Sequence, residues 1–137
     1  MMEKLLEQIR GAGGRLTKTK KAIVEVLVED CCLVSKSELV ERLRVRNIRP
    51  DRSTVYRELL FLTKVGVVAK KMIAGRDHFE LTQDRHHHLV CFECRSICRV
   101  EIDDRLKSEE RRIAKENQFE LPDQAREFYG YCDRCRN

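Results

Sequence analysis

His86-His87-His88-Leu89-Val90-Cys91-Phe92-Glu93-Cys94 sets three imidazoles in a row and follows them with two thiols at a two-residue spacing. A second Cys-x-x-Cys pair, Cys132 and Cys135, lies near the other end of this half of the chain. A two-residue spacer lets both sulfurs of a knuckle hold one ion, and four thiolates around a tetrahedron suit Zn²⁺. Such a closed sphere leaves no position for water or substrate, so its expected role is structural. The competing reading, a thioredoxin-like dithiol, calls for one Cys-x-x-Cys at a helix start rather than two. The gap between the knuckles is longer than in a compact zinc ribbon, so strands and a helix must fold between them.

The imidazoles form a separate signal. Alternate residues of a strand share a face, so His86 and His88 point one way and His87 the other. Two nitrogens do not complete a metal site, and Glu80 and Glu101 are the candidate carboxylates. A mixed histidine and carboxylate set fits Fe²⁺, Mn²⁺ or Zn²⁺. The competing reading is a polar strand with no specific ligand.

Upstream of this stretch the pattern is helical. Residues 3–10 place Leu5, Leu6 and Ile9 on one face, and Gly11, Gly13 and Gly14 end that helix. Thr17 or Thr19 caps a second helix with the stripe Ile23, Val26 and Leu27. Ser35-Lys36-Ser37-Glu38 is a capping box that opens a third, burying Leu39, Val40 and Leu43. A fourth starts near residues 51–53 and runs to about Val65, with Val55, Leu59 and Leu62 inward and Gly66 as its stop. Residues 67–73 and 77–81 read as a hairpin turned at Ala74-Gly75. The last three helices and the hairpin make a winged helix-turn-helix. Arg52, Ser53, Thr54, Tyr56 and Arg57 crowd the N-terminal end of the fourth helix, where amides and positive potential meet phosphates and side chains reach bases. The net charge of +5 supports that placement. Residues 1–82 carry 17 Lys/Arg against 11 Asp/Glu (+6), and residues 83–137 carry 11 against 12 (−1). The competing reading is a small helical domain that binds protein.

Downstream, residues 88–91, 97–102, 119–121 and 125–131 read as strands. Residues 104–116 read as a helix with Leu106 and Ile113 inward, and Pro122-Asp123 as a turn. This half is small for an independent core, so a metal or a partner subunit should help it fold. No run approaches the roughly 18 apolar residues that cross a bilayer, and Met1-Met2-Glu3-Lys4 opens no apolar leader. The expected location is therefore cytoplasmic, where seven cysteines are poor disulfide material.

Gly14-Arg15-Leu16-Thr17, Ser53-Thr54-Val55-Tyr56-Arg57, Phe79-Glu80-Leu81, His86-x-His88-x-x-Cys91-x-x-Cys94 and Cys132-x-x-Cys135 follow one another in the order and spacing of one family. Nearly end to end, the chain resembles the ferric uptake regulator (Fur) family of metal-dependent transcription regulators. The resemblance implies an α+β homodimer: a winged helix-turn-helix DNA-binding domain over residues 1–82, a hinge at 83–85, and a small α/β dimerisation and metal-binding domain over 86–137. It implies that Arg15 reaches toward the minor groove and that Tyr56 and Arg57 contact base and backbone. It implies structural zinc on the four knuckle cysteines, and Glu80, His86 and His88 in a regulatory site at the hinge.

The chain also departs from that pattern. The family usually places a histidine just before the Val-Ser of the third helix, where Leu33 stands here. The neighbouring Cys31-Cys32 offers Cys32 as a substitute, which would soften the site toward Zn²⁺; otherwise the position is lost. The family carboxylate five residues past the knuckle falls on Arg99, and Glu101 takes its place if two residues are inserted. An auxiliary site of some members lacks a histidine, its place being Gln124. The expected activity is metal-responsive regulation, with repression the expected sense, of a pseudo-palindromic double-stranded operator. A second divalent ion (Fe²⁺, Zn²⁺ or Mn²⁺) at the hinge sets the DNA-binding conformation. One alternative is a zinc-stabilised regulator with a degenerate sensing site that binds DNA constitutively. Another is a metallo-hydrolase, but that needs further ligands and an open position, and only His78 remains elsewhere.

Overall fold

The computed structural model describes residues 1–30, 32–83, 86–122 and 126–136. The chain divides into two compact units, Met1–Asp84 and Arg85–Asn137. Cys31, two of the three expected hinge positions (84 and 85), Asp123 of the expected turn and Gln124 lie outside the described residues.

The first unit runs α1 (Met2–Gly11), α2 (Lys18–Asp30), β1 (Val34–Ser35), α3 (Lys36–Val45), α4 (Arg52–Lys64), β2 (Val68–Ile73) and β3 (Arg76–Leu81). The starts of α2, α3 and α4 follow polar caps. Thr17, rather than Thr19, accepts from the Lys20 amide at 3.1 Å. Ser35 accepts from the Glu38 amide at 3.2 Å, and Asp51 from the Thr54 amide at 2.7 Å. The ends of α1, α3 and α4 close by one device. Residues Gly13, Asn47 and Gly66 take positive φ, and the next amide reaches back to Ile9, Leu43 or Leu62 at 2.9–3.0 Å, a Schellman closure. Leu5, Ile9, Ile23, Leu27, Leu39, Leu43, Val55, Leu59 and Leu62 then meet in one core. Truncating one of these leucines to alanine costs about 2–5 kcal/mol.

The hairpin β2/β3 is antiparallel, with Lys70 opposite Phe79 and Ile73 opposite Arg76. The sequence reading missed a third strand. Val34 pairs with Phe79 and Ser35 with His78, giving the order β1-β3-β2. Two residues are too few to show alternation.

The second unit holds β4 (His87–Cys91), β5 (Ile97–Val100), α5 (Asp104–Glu116) and β6 (Glu127–Gly130). Its sheet order is β5-β4-β6, antiparallel between β4 and β5 and parallel between β4 and β6. Two expectations fail here. Residues 119–121 form no strand, because α5 closes on Gln118 at φ 56 and the Phe119 amide is spent on Ala114 O at 2.8 Å. The inward face of α5 is Leu106, Glu110 and Ala114, while Ile113 is 47% exposed. The hydrophobic core of this unit is thin: Val90, Cys91 and Ala114 are its buried hydrophobic residues among those described.

Candidate metal centres and nucleic-acid interface

Cys91 ends β4, and the chain turns back through Arg95, which takes φ 62. The parallel pairing of β4 with β6, Cys91 opposite Gly130, carries the chain directly to Cys132. The two knuckles therefore meet at one end of the sheet. All four sulfurs of Cys91, Cys94, Cys132 and Cys135 lie within 4.8 Å of one another, and Cys94 Sγ stands 3.7 Å from Cys132 Sγ. Four thiolates bound about 2.3 Å from one tetrahedral ion stand roughly 3.8 Å apart, so this set fits such an ion.

The electrostatics agree. The Cys132 amide donates to Cys91 Sγ at 3.4 Å. Backbone amides, that of Cys132 foremost, lower the Cys91 thiol to about 6. The Ser96 hydroxyl, 3.1 Å from Cys94 Sγ, is the main cause lowering Cys94. Cys135 moves the opposite way, pushed up to about 12 by neighbouring sulfurs, Cys132 first. A cation at the centre of the cluster would offset the mutual repulsion of its thiolates.

His86 and His88 are both buried, at 1% and 0% exposure. Their rings meet edge to face with centroids 4.6 Å apart, so the expected convergence of these two imidazoles is present. His87 faces elsewhere, and it is not idle. The Arg126 amide donates to His87 Nδ1 at 3.0 Å. The ring proton therefore sits on Nε2, 3.3 Å from Glu110 Oε1. Burial is the chief cause holding this imidazole below its usual value, against the opposing pull of Glu110. His87 thus ties β4 to α5 and to the entry of β6, a role hidden in the sequence because both partners are remote.

In the first unit the polar end of α4 is open. Arg52, Ser53, Tyr56 and Arg57 are exposed, Thr54 is half-buried, and Val55, Leu59 and Leu62 are fully inside. The Ser53 hydroxyl donates to Asp51 Oδ1 at 2.9 Å, and Arg57 Nη2 to Thr54 Oγ1 at 3.4 Å. Lys36 Nζ lies 5.4 Å from the Tyr56 ring centroid. Arg15 is exposed in the loop before α2.

The family model described as "Ferric uptake regulator family" matches residues 11–129 of this chain. The chain belongs to the ferric uptake regulator family. It is 33% identical to the ferric uptake regulation protein of Escherichia coli strain K12 over 127 residues, covering 90% of this chain and 85% of that protein. Its fold matches the crystal structure of the Vibrio cholerae ferric uptake regulator with a TM-score of 0.77, at 30% identity over 92% of this chain and 98% of the other. The Helicobacter pylori ferric uptake regulator, for which three functional metal binding sites are described, matches with a TM-score of 0.83. Identity there is 22%, over 100% of this chain and 95% of that one, which speaks for the fold alone. Ferric uptake regulator proteins are transcription regulators rather than enzymes, and the metallo-hydrolase alternative ends here.

The remaining candidate ligands of this family member fall as follows. Glu80 is buried in β3 at 5% exposure. Cys32 is half-buried and Leu33 buried, in the link from α2 to β1. Glu101 has a side chain 73% exposed, with Oε1 2.7 Å from Arg99 Nε. Among the described residues of the second unit, no carboxylate joins His86 and His88 within 4.8 Å. Among the described residues no helix is long and apolar enough to cross a membrane.

Proposed function

We propose that this chain is a cytoplasmic, metal-responsive repressor that binds a pseudo-palindromic operator as a homodimer. Cys91, Cys94, Cys132 and Cys135 hold a structural Zn²⁺ that closes the second unit. Arg15, Arg52, Ser53, Thr54, Tyr56 and Arg57 face the DNA. His86 and His88 supply two nitrogens of a regulatory site across the hinge at 83–85. Glu80 and Cys32 of the winged-helix unit and Glu101 of the second unit are the residues proposed to complete it. A divalent ion held there, Fe²⁺, Zn²⁺ or Mn²⁺, supplies a coordination bridge between the two units. It acts only through a difference in affinity for their alternative orientations.

The observation that carries this reading is the convergence of two buried imidazoles three residues before a four-thiol cluster. Cys32 shifts the donor set toward sulfur and nitrogen, which favours Zn²⁺ over the harder ions. Self-association is supported by what the second unit leaves bare. Leu89 at 48% exposure and Phe128 at 43% sit side by side across β4 and β6 on one face of the sheet, and Tyr129 at 48% is exposed on the other. Bare apolar side chains on so thin a core suit a second copy of the chain.

The test is operator binding by the zinc-loaded protein, read by fluorescence anisotropy while Fe²⁺, Mn²⁺ or Zn²⁺ is added in turn. One of these ions is expected to raise affinity by about 5–150-fold, the usual range of coupling between two sites. His86→Ala with His88→Ala is expected to abolish that rise and leave the four-thiol zinc bound. Tight binding indifferent to added metal and to these substitutions overturns the sensing half. It would establish the constitutive alternative, which the Arg99 to Glu101 ion pair and Leu33 favour.

A further inference from the structure

Lys20 is a charged residue inside the first unit, only 5% exposed. Its ammonium donates to the Arg15 carbonyl oxygen at 2.7 Å. The same nitrogen lies 3.4 Å from Glu58 Oε2 and 4.2 Å from the centroid of the Phe61 ring. Glu58 and Phe61 both belong to α4, the helix whose outer end carries Tyr56 and Arg57. One buried cation therefore joins the backbone of the Arg15 loop to the helix that displays the other DNA-facing residues.

The loop itself is fitted to this contact. A Cβ on Gly14 would come within 2.4 Å of Phe61 Cζ and 3.0 Å of Ile9 O, so only glycine lets the chain lie this close to α4. The Gly14 amide is tied to Ile9 O at 3.0 Å, and the Arg15 carbonyl also accepts from the Thr17 amide at 3.1 Å. The backbone on both sides of Arg15 is thus held, while the Arg15 side chain is exposed.

We infer that Lys20 is a positioning residue for DNA recognition: it locks the Arg15 loop onto α4, so that the arginine and the N-terminal end of that helix are presented to the duplex as one rigid body. This rests on the proposed DNA-facing role of Arg15. Its physical content is preorganisation. A loop held in place before binding does not lose its conformational freedom on binding, so that cost is absent from the affinity. Lys20 itself is buried and touches no DNA. Its contribution is spent through Arg15, and the minor groove that Arg15 is proposed to enter distinguishes mainly A·T from G·C pairs.

A merely structural Lys20 makes a different forecast. A buried ion pair replaced by neutral or apolar groups of similar size is often neutral for stability. Stability and recognition therefore separate in the variants. The probe is a duplex selected by the wild-type, zinc-loaded protein from a randomised pool, used with its flanking A·T pairs intact or exchanged for G·C. Dissociation constants are measured for wild type, Arg15→Ala, Lys20→Met, the double variant and Lys20→Met with Glu58→Gln, and each is checked for folding by thermal unfolding. Arg15→Ala and Lys20→Met are each expected to weaken binding about tenfold and to lose the preference for A·T flanks. The double variant should bind no worse than Arg15→Ala. If Lys20→Met unfolds, Glu58→Gln alone takes its place, with a smaller loss in the same direction. Binding by the folded Lys20 or Glu58 variant equal to wild type, or losses that multiply with that of Arg15→Ala, overturns the positioning role while leaving the DNA contact standing. An Arg15→Ala variant that binds like wild type removes the contact, and the inference with it.

Discussion

Two glycines of the N-terminal segment look alike in the sequence and differ in the fold. A Cβ on Gly11 meets nothing within 4 Å, whereas one on Gly14 meets the Phe61 ring and the Ile9 carbonyl. Gly14→Ala is therefore expected to lower stability by about 1–3 kcal/mol, the usual cost of overpacking. Gly11→Ala, inside α1, is expected to raise it by about 0.5–1 kcal/mol through the loss of helix-opposing freedom. Urea denaturation of the two variants checks both signs, and equal effects would contradict the close approach of the loop to α4. The three consecutive histidines carry a similar lesson. Alternation alone separates His87 from His86 and His88, but its partners Glu110 and Arg126 are supplied by tertiary folding. No local pattern names them.

At the scale of elements, what was legible is what is written locally. The four helices of the first unit announce themselves by caps and by apolar spacing, and the knuckle spacing pairs the sulfurs within each Cys-x-x-Cys, while the β4–β6 pairing brings the two pairs together. What was not legible is set by distant backbone. Strand β1 exists because β3 offers it a partner. Phe119–Leu121 reads as a strand only until the left-handed Gln118 has committed the Phe119 amide to the end of α5. The carboxylate of the proposed regulatory site is the harder case: simple spacing falls on Arg99, and Glu101, reached only with two inserted residues, is engaged by that arginine.

Helix α4 also carries a pH signature. The Asp51 carboxyl is held below its usual value, chiefly by the Thr54 side chain and amide and by Ser53. A carboxyl lowered on folding stabilises above its unfolded value, here 3.8, and that contribution fades as pH falls below it toward the depressed folded value. Acid should therefore fray the N-terminal end of α4. In Asp51→Asn, which keeps the shape of the cap, the midpoint of unfolding should fall less steeply with acid than in wild type. Parallel acid profiles for the two proteins would remove the cap from this account.

For the whole molecule, the contrast between the two units dominates. The first has a continuous apolar core, and the second has Val90, Cys91 and Ala114 together with four clustered thiols. A bound structural zinc contributes of order 10 kcal/mol to small domains of this type. Cys132→Ser, or treatment with a strong chelator, is accordingly expected to melt the second unit and to abolish the proposed self-association while the first unit keeps its helices. Hydrogen exchange read unit by unit, alongside sedimentation, checks this. Uniform loss of protection across both units would show that they are not independent.

The parallel pairing of β4 with β6 has a consequence for how the chain is made. His87 must wait for Arg126, 39 residues further on, and Cys91 for a thiol that follows β6. The first unit is built from nearby contacts and can fold while synthesis continues, since domains generally fold as units in the order they emerge. The central strand of the second unit is only half served by nearby residues. On the ribosome it can pair with β5 on one side, while its other edge stays open beside two bare thiols until residues 127–135 leave the exit tunnel. Closure of the four-thiol cluster and completion of the sheet then fall in the same short interval, and until then the open edge of β4 can template pairing with another chain.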